Sequence, residues 1–315
     1  MRKGIKIAIW TILLVAGIIV CAVHWQVWFG MPDEPMWTGD TLSYTLPCPA
    51  DSGQMATDTE QSPLTILVLG DIHSQLNQAD YDTLDARVPQ ANVVAQAGDW
   101  LDRGQGYYRQ LLLREWTASR LGNRPVIACP GNHEYSKGIK KTLSPVWEET
   151  FSHPTNGPAV PGATYYIDLP GLRYIVIDTN PLDRLVYLTR TLTWLRRAMY
   201  TADGRYTVVM MHHPVFPACK GRFCPLIYAT FRYPLSQADL VISGHDHSYL
   251  RRTPFVVLNT SGKPKPQKPL FTPEVCAAEP VYGIISLPTP DSPLQFSVYR
   301  MSDNELVDSL YVTHN

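Results

Sequence analysis

Five short clusters place oxygen- and nitrogen-bearing side chains directly behind apolar runs. They are GDIHS at 70–74, GDWLDRG at 98–104, GNHEY at 131–135, HHP at 212–214 and GHDHS at 244–248. Carboxylate, amide oxygen and imidazole together suit first-row divalent metal ions. A single Asp or His behind a strand is an ordinary turn former or cap, and one cluster alone would carry no more than that. Five of the same form on one chain point to a shared centre. Two clusters hold alternating pairs, Asp71 with His73 and His245 with His247. Residues i and i+2 of an extended segment point the same way, so each pair can face one ion. The chemistry such a centre offers is activation of water by metal. A covalent route has no comparable support, since no Gly-x-Ser-x-Gly motif occurs.

Sequence-distant clusters need elements to bring them together. TILVLGD (65–71), NVVAQAGD (92–99) and PVIACPGN (125–132) are short apolar runs that end in Gly-Asp or Gly-Asn, as buried strands do. YTVVMMHHP (206–214) and ADLVISGHDHS (238–248) repeat the form. Helical spacing appears at 81–88, at 106–122 and at 191–202, and TYYIDLPGLRYIVIDTN (164–180) reads as a hairpin about Pro170 and Gly171. Beyond Arg252 the chain is β-rich, with a final hairpin turning near Asp303 and Asn304. Strand–helix alternation followed by a strand-rich part predicts an α/β or α+β sandwich. In open α/β sheets ligands bind where the strands end, and that is where the five clusters fall. Core packing accounts for the apolar residues of the 106–122 helix.

Composition sets the frame. The 315 residues are 45% hydrophobic and 17% charged, enough for one large domain plus an appendage. A net charge of −1 gives no bulk field for nucleic acid, and none is expected as a partner. No heptad or repeat specifies an oligomeric state. Residues 1–6 carry Arg2, Lys3 and Lys6, and 7–23 are apolar, followed by Trp25, Trp28 and Phe29. A basic flank, a spanning length and an aromatic belt predict a signal anchor over 7–29, with 1–6 cytoplasmic. The rest of the chain would then face the periplasm or the extracellular side. Cleavage as a signal peptide is the alternative. A polar linker or strap, 30–63, would lead into a catalytic domain over 64–315. Six cysteines fit an exported chain. Cys219 with Cys224 and Cys48 with Cys276 are candidate pairs, and Cys129 reads as a buried free thiol. A zinc cluster is disfavoured, because no CxxC pair exists. The CKGRFC loop would hold Lys220 and Arg222 near the metal edge, where they could draw an anionic substrate; a solvated surface loop is the plainer reading. KPKPQKP (263–269) reads as a solvated loop rather than a lipid-binding patch.

In order and content, GDIHSQ, GDWLDRG, GNHE, HHP and GHDH resemble the calcineurin-like metallophosphoesterase superfamily, across roughly 64–262. The resemblance implies a four-layer α/β sandwich, two mixed β-sheets flanked by helices, and a cofactor of two divalent ions (Mn, Fe, Zn or Ni). It implies that Asp71, His73 and His247 bind the first ion, that Asn132, His212 and His245 bind the second, and that Asp99 bridges them. His213, the second His of HHP, falls outside the family's ligand pattern. His133 would contact the scissile phosphate or protonate the leaving oxygen; imidazole titrates near neutral pH, which suits a general acid. Asp102 would orient His133, and Arg103 would contact phosphate or hold its loop. Purple members carry a Tyr three residues after the bridging Asp; Asp102 stands there, so a purple enzyme is not expected. Protein phosphatases carry Gly where Ser74 stands and lack GHxH, which argues against that branch. The implied reaction is hydrolysis of a phosphomonoester or phosphodiester. Phosphoprotein, nucleotide, phospholipid headgroup and sugar phosphate all stay open as the substrate. A non-catalytic metal-binding or regulatory module with this fold is the alternative.

Overall fold

The computed structural model describes residues 63–73, 78–100, 125–136, 142–145, 147, 150–151, 153–158, 160, 162–215, 224–261, 263–264 and 272–313. The anchor, the strap up to residue 62, the expected 106–122 helix, Asp102, Arg103, Cys219, Lys220 and Arg222 lie outside them.

Strands β1 (Leu64–Leu69), β2 (Val93–Gln96) and β3 (Val126–Ala128) follow the first three apolar runs. The expected hairpin forms as β4 (Tyr165–Leu169) and β5 (Leu172–Ile177), turning at Pro170 and Gly171. β6 (Tyr206–Met211) and β7 (Leu240–Ser243) precede the two histidine clusters. The β-rich end supplies β8 (Tyr249–Arg252), β9 (Phe255–Val257), β10 (Val275–Ala277), β11 (Val281–Leu287), β12 (Leu294–Arg300) and β13 (Leu306–Val312). One sheet runs β13-β12-β11-β1-β2-β3 and the other β10-β8-β9-β7-β6-β5-β4. Both are mixed. β1, β2 and β3 are parallel, as are β5, β6, β7 and β9, and antiparallel strands complete each sheet.

Both faces of the parallel strands are covered, which is why they read as unbroken apolar runs. In β1, Leu64, Ile66 and Val68 face the other sheet, while Leu67 and Leu69 join an outer core with Leu84, Trp100 and Trp147. In β5, Tyr174 and Val176 meet the inter-sheet core, while Ile175 and Ile177 turn outward. Helix α1 (Gln78–Arg87) lies on the outside of the first sheet through Leu84, and the Thr83 hydroxyl donates to the Met301 carbonyl at 3.0 Å. Helix α2 (Leu185–Tyr200) covers the second sheet. Its buried Leu188, Thr191, Leu192, Leu195 and Ala198 recur at the 3-to-4-residue spacing of one helical face. It begins six residues earlier than the 191–202 spacing shows, after a 3-10 turn, Asn180–Asp183.

Helix α3 (Cys224–Leu235) was not foreseen. Pro234 in its last turn and the CKGRFC sequence at its start mask a helix that tertiary burial of Phe231 and Leu235 stabilises. Cys129 is a buried free thiol, as expected, and Cys276 is an exposed free thiol on β10; Cys48 lies outside the described residues. Among the described residues no helix is long and apolar enough to cross a membrane.

Candidate metal centre

All five clusters sit at the carboxyl ends of parallel strands: Asp71 after β1, Asp99 after β2, Asn132 after β3, His212 after β6, and His245 and His247 after β7. Glycine precedes four of these groups because nothing larger fits. A Cβ on Gly131 would lie 2.2 Å from Asp99 Oδ1, and one on Gly244 would lie 2.8 Å from Asp71 Oδ2. The chain also bends sharply here. His73, Asp99, His245 and His247 all take positive φ, between 51° and 72°. That region is unfavourable for non-glycine residues and is held only where surrounding contacts fix it.

Two groups of ligand-type atoms result. In the first, Asp71 Oδ1 lies 3.7 Å from His73 Nε2 and 4.0 Å from His247 Nε2, and those two imidazole nitrogens are 2.8 Å apart. His247 Nδ1 faces the Lys263 carbonyl at 3.2 Å, so it carries the proton and leaves the Nε2 lone pair inward. In the second, His212 Nδ1 donates to the Ala97 carbonyl at 2.8 Å, which turns Nε2 toward Asn132 Oδ1 and His245 Nδ1, each at 3.2 Å. Asp99 Oδ2 stands between the groups, 3.7 Å from His73 Nε2 and 3.3 Å from His212 Nε2. All seven expected ligands are therefore brought together. His213 joins them: its ring centroid lies 4.5 Å from that of His245, and its Nδ1 meets Thr179 Oγ1 at 2.6 Å.

The donor set fits divalent metal. Asp71 Oδ1 is buried without a hydrogen-bond partner, and the nitrogens facing it stand too far off to supply one. Ligand atoms of Asp71, His73 and His247, and those of Asp71, Asp99 and His212, lie within 4.8 Å of one another. Electrostatics agree. Burial pushes the Asp71 carboxyl up to about 8, against the pull of His212. Burial opposes the Asp99 carboxylate too, yet His212, His133 and His73 outweigh it and hold Asp99 below the usual carboxylate range. Burial disfavours charge on His212, but Asp99 and then Asp71 raise it to about 10. Carboxylates and imidazoles bind metal in their deprotonated forms, so metal loading should release protons.

His133 borders both groups. Its side chain is 28% exposed, its Nε2 lies 3.7 Å from Asp99 Oδ2, and its ring centroid is 4.8 Å from that of His73. Its backbone N–H donates to Asp99 Oδ1 at 2.9 Å. The Asp102 and Arg103 expected beside it lie outside the described residues.

The supporting residues were not read from sequence. Glu134 is fully buried and accepts backbone N–H groups from Gly131 (2.7 Å), Asp99 (3.0 Å) and Trp100 (3.0 Å). It ties the β3 loop to the β2 loop. Burial, then repulsion from Asp99, raises its carboxyl to about 7. Gln96 accepts from the Gly98 N–H at 2.8 Å and donates to the Gly98 and Gly70 carbonyls. Asp178, Thr179 and Asn180 end β5 as a sixth strand-end cluster. The signal was there in LRYIVI followed by DTN, the form of the other five.

The model of calcineurin-like phosphoesterases matches residues 64–249. The sequence has no match among curated proteins. Among solved structures, the chain resembles GAP50, the anchor in the inner membrane complex of Plasmodium, with TM-score 0.59 and 12% identity over 81% of this chain and 90% of that one. It resembles purple acid phosphatase PPD1 from yellow lupin (Lupinus luteus), with TM-score 0.54 and 11% identity over 81% of this chain and 54% of that one. The match thus spans about half the length of the lupin enzyme. A dimetal phosphatase from Danio rerio gives TM-score 0.50 and 14% identity over 80% and 99%. At these identities the likeness is one of fold.

Proposed function

The chain belongs to the calcineurin-like phosphoesterase family, and from that membership we propose that it hydrolyses phosphoester bonds with water activated by two divalent ions. The observation that carries the reading is Asp99 Oδ2, one carboxylate oxygen set between two groups of inward-facing nitrogens. Asp71, His73 and His247 would hold one ion, Asn132, His212 and His245 the other, with Asp99 shared. Mixed oxygen and nitrogen ligation admits Mn, Fe, Zn or Ni. Such ions make water nucleophilic near neutral pH and neutralise phosphoryl charge.

The chain's own residues do the rest. Ala97 and Lys263 carbonyls fix the His212 and His247 tautomers, keeping their Nε2 lone pairs inward. The Glu134 carboxylate holds the backbone of the loops that bear Asp99 and Asn132. His133, open to solvent on one side, gives a proton from its ring to the departing oxygen. By the family resemblance Asp102 would orient that ring, and Arg103 would contact the phosphate or hold its loop. Residues 7–29 anchor the chain in a membrane as a single pass and leave the domain outside the cytoplasm. Protease added to right-side-out vesicles should remove the domain, and protection would overturn that orientation.

The second reading, a non-catalytic module, takes some support from the anchor role in the GAP50 description. Full-length protein in detergent, loaded with Mn²⁺, separates the two on a chromogenic phosphomonoester and a phosphodiester. The wild type should turn over at least one of them. His133→Ala should keep its metal and lose about 10²–10⁴-fold in kcat. A metal-loaded wild type that hydrolyses neither leaves the non-catalytic reading in place.

A further inference from the structure

The five ligand clusters do not account for DTN at 178–180. This segment directly follows β5, and its three side chains are buried. Each reaches a loop that carries a ligand of the second group. Asn180 Nδ2 donates to the Pro130 and Gly131 carbonyls at 3.3 and 3.2 Å, the two residues directly before Asn132. Asp178 Oδ1 accepts from Asn180 Nδ2 and from the Asn180 backbone N–H, each at 2.9 Å, which fixes the orientation of that amide. Asp178 Oδ2 accepts from the Tyr135 hydroxyl, closing the far end of the same loop. Thr179 Oγ1 accepts the His213 N–H at 3.3 Å and meets His213 Nδ1 at 2.6 Å, beside His212.

The first group stands on other supports. Thr260 accepts the Gly70 N–H ahead of Asp71, the Asp99 carbonyl accepts the His73 N–H, and the Lys263 carbonyl holds His247. We infer that Asp178, Thr179 and Asn180 are positioning residues for one ion of the pair, the one assigned to Asn132, His212 and His245. The inference rests on the two-ion reading. Its physical basis is ordinary: partners behind a metal ligand fix its direction, and losing one typically costs ~10–100-fold in metal affinity. The loop held by Asn180 carries an amide ligand, whose single inward oxygen has no charge to compensate for misdirection.

The test is Mn²⁺ titration of the full-length chain, with bound metal counted by elemental analysis and the spin state read by EPR. The wild type should bind two ions and show the spectrum of a coupled pair. Asn180→Ala, and separately the near-isosteric Tyr135→Phe, should keep one ion at wild-type affinity. Both should bind the second at least ~10-fold more weakly, with the spectrum of an isolated ion appearing at intermediate metal. A wild type that binds fewer than two ions overturns the two-ion reading and this inference with it. Variants that keep both affinities, beside a wild type that binds two, overturn this inference alone. Equal weakening at both ions overturns it as well, because the segment would then serve the fold and not one half of the centre.

Discussion

Gly131→Ala adds one methyl group to a backbone of ordinary φ, so any effect must come from lack of room. The new Cβ would lie 2.2 Å from Asp99 Oδ1, 2.3 Å from Asp99 N and 2.9 Å from Asp99 Cγ. Two of those atoms belong to a carboxylate whose position defines the centre, and the third is backbone. Neither can swing aside as a flexible side chain would. Reaching ordinary contact requires the β2 and β3 loops to part by about 1 Å. That opening strains the His133 N–H bond to Asp99 Oδ1 and the bonds from the Asp99 and Trp100 N–H groups to Glu134 that tie the same loops. Overpacking of this kind costs about 1–3 kcal/mol, and a weakened buried bond to a charged group adds a similar amount. A displacement of about 1 Å at a reacting centre can cost ~10²-fold in rate. The assay is urea unfolding together with Mn²⁺ binding and phosphoester turnover. Gly204→Ala is the control. It lies at the opposite end of β6 from His212, with φ +74° and nothing within 4 Å of an added Cβ. It should lose ~1–2 kcal/mol to backbone strain and keep full metal binding. If Gly131→Ala binds Mn²⁺ and turns over like the wild type, the close approach of the two loops is not what the centre depends on.

Two further tests concern stability. His153 packs along the edge of β3, its Nδ1 facing the Gly162 carbonyl at 3.1 Å and its Nε2 lying 3.1 Å from the Val126 carbonyl and 3.3 Å from the Ala128 nitrogen. Burial pushes its pKa down to about 4, so the unfolded chain takes up the proton first. Its contribution is complete above about pH 6.5 and is lost as pH falls toward 4. Between pH 7 and 5 that amounts to about 2 kcal/mol. Urea unfolding of His153→Gln should lack this slope; a slope equal to that of wild type would refute the assignment. Arg173 is buried, paired with both oxygens of Asp168 at 2.5 and 2.6 Å and stacked 4.2 Å over Tyr166. Asp168→Ala strands that charge and should cost about 2–3 kcal/mol in the same assay. A loss below ~0.5 kcal/mol would show that the remaining contacts to Ala198 and Thr201 suffice.

Much of the fold was legible because both faces of the parallel strands are buried. That burial made them apolar runs with abrupt polar ends, and the ends were the clusters. The hairpin at Pro170 and Gly171 showed in the same way, through turn residues between two β runs. Helix α3 did not show, because its stability comes from what Phe231 and Leu235 pack against rather than from local propensity.

For the centre itself, residue types and spacing marked five clusters of metal-binding type, and the family resemblance implied two ions. A sequence carries no distances. Only the packing of two sheets could set Asp99 Oδ2 within 3.3 Å of His212 and 3.7 Å of His73, residues 113 and 26 positions away along the chain. The strand-end clusters that contain Glu134 and Asn180 could be read from the sequence, but what those two side chains hold could not. Their function is to satisfy backbone groups of loops that approach only when the chain is folded, and a hydrogen bond to a distant backbone leaves no motif behind.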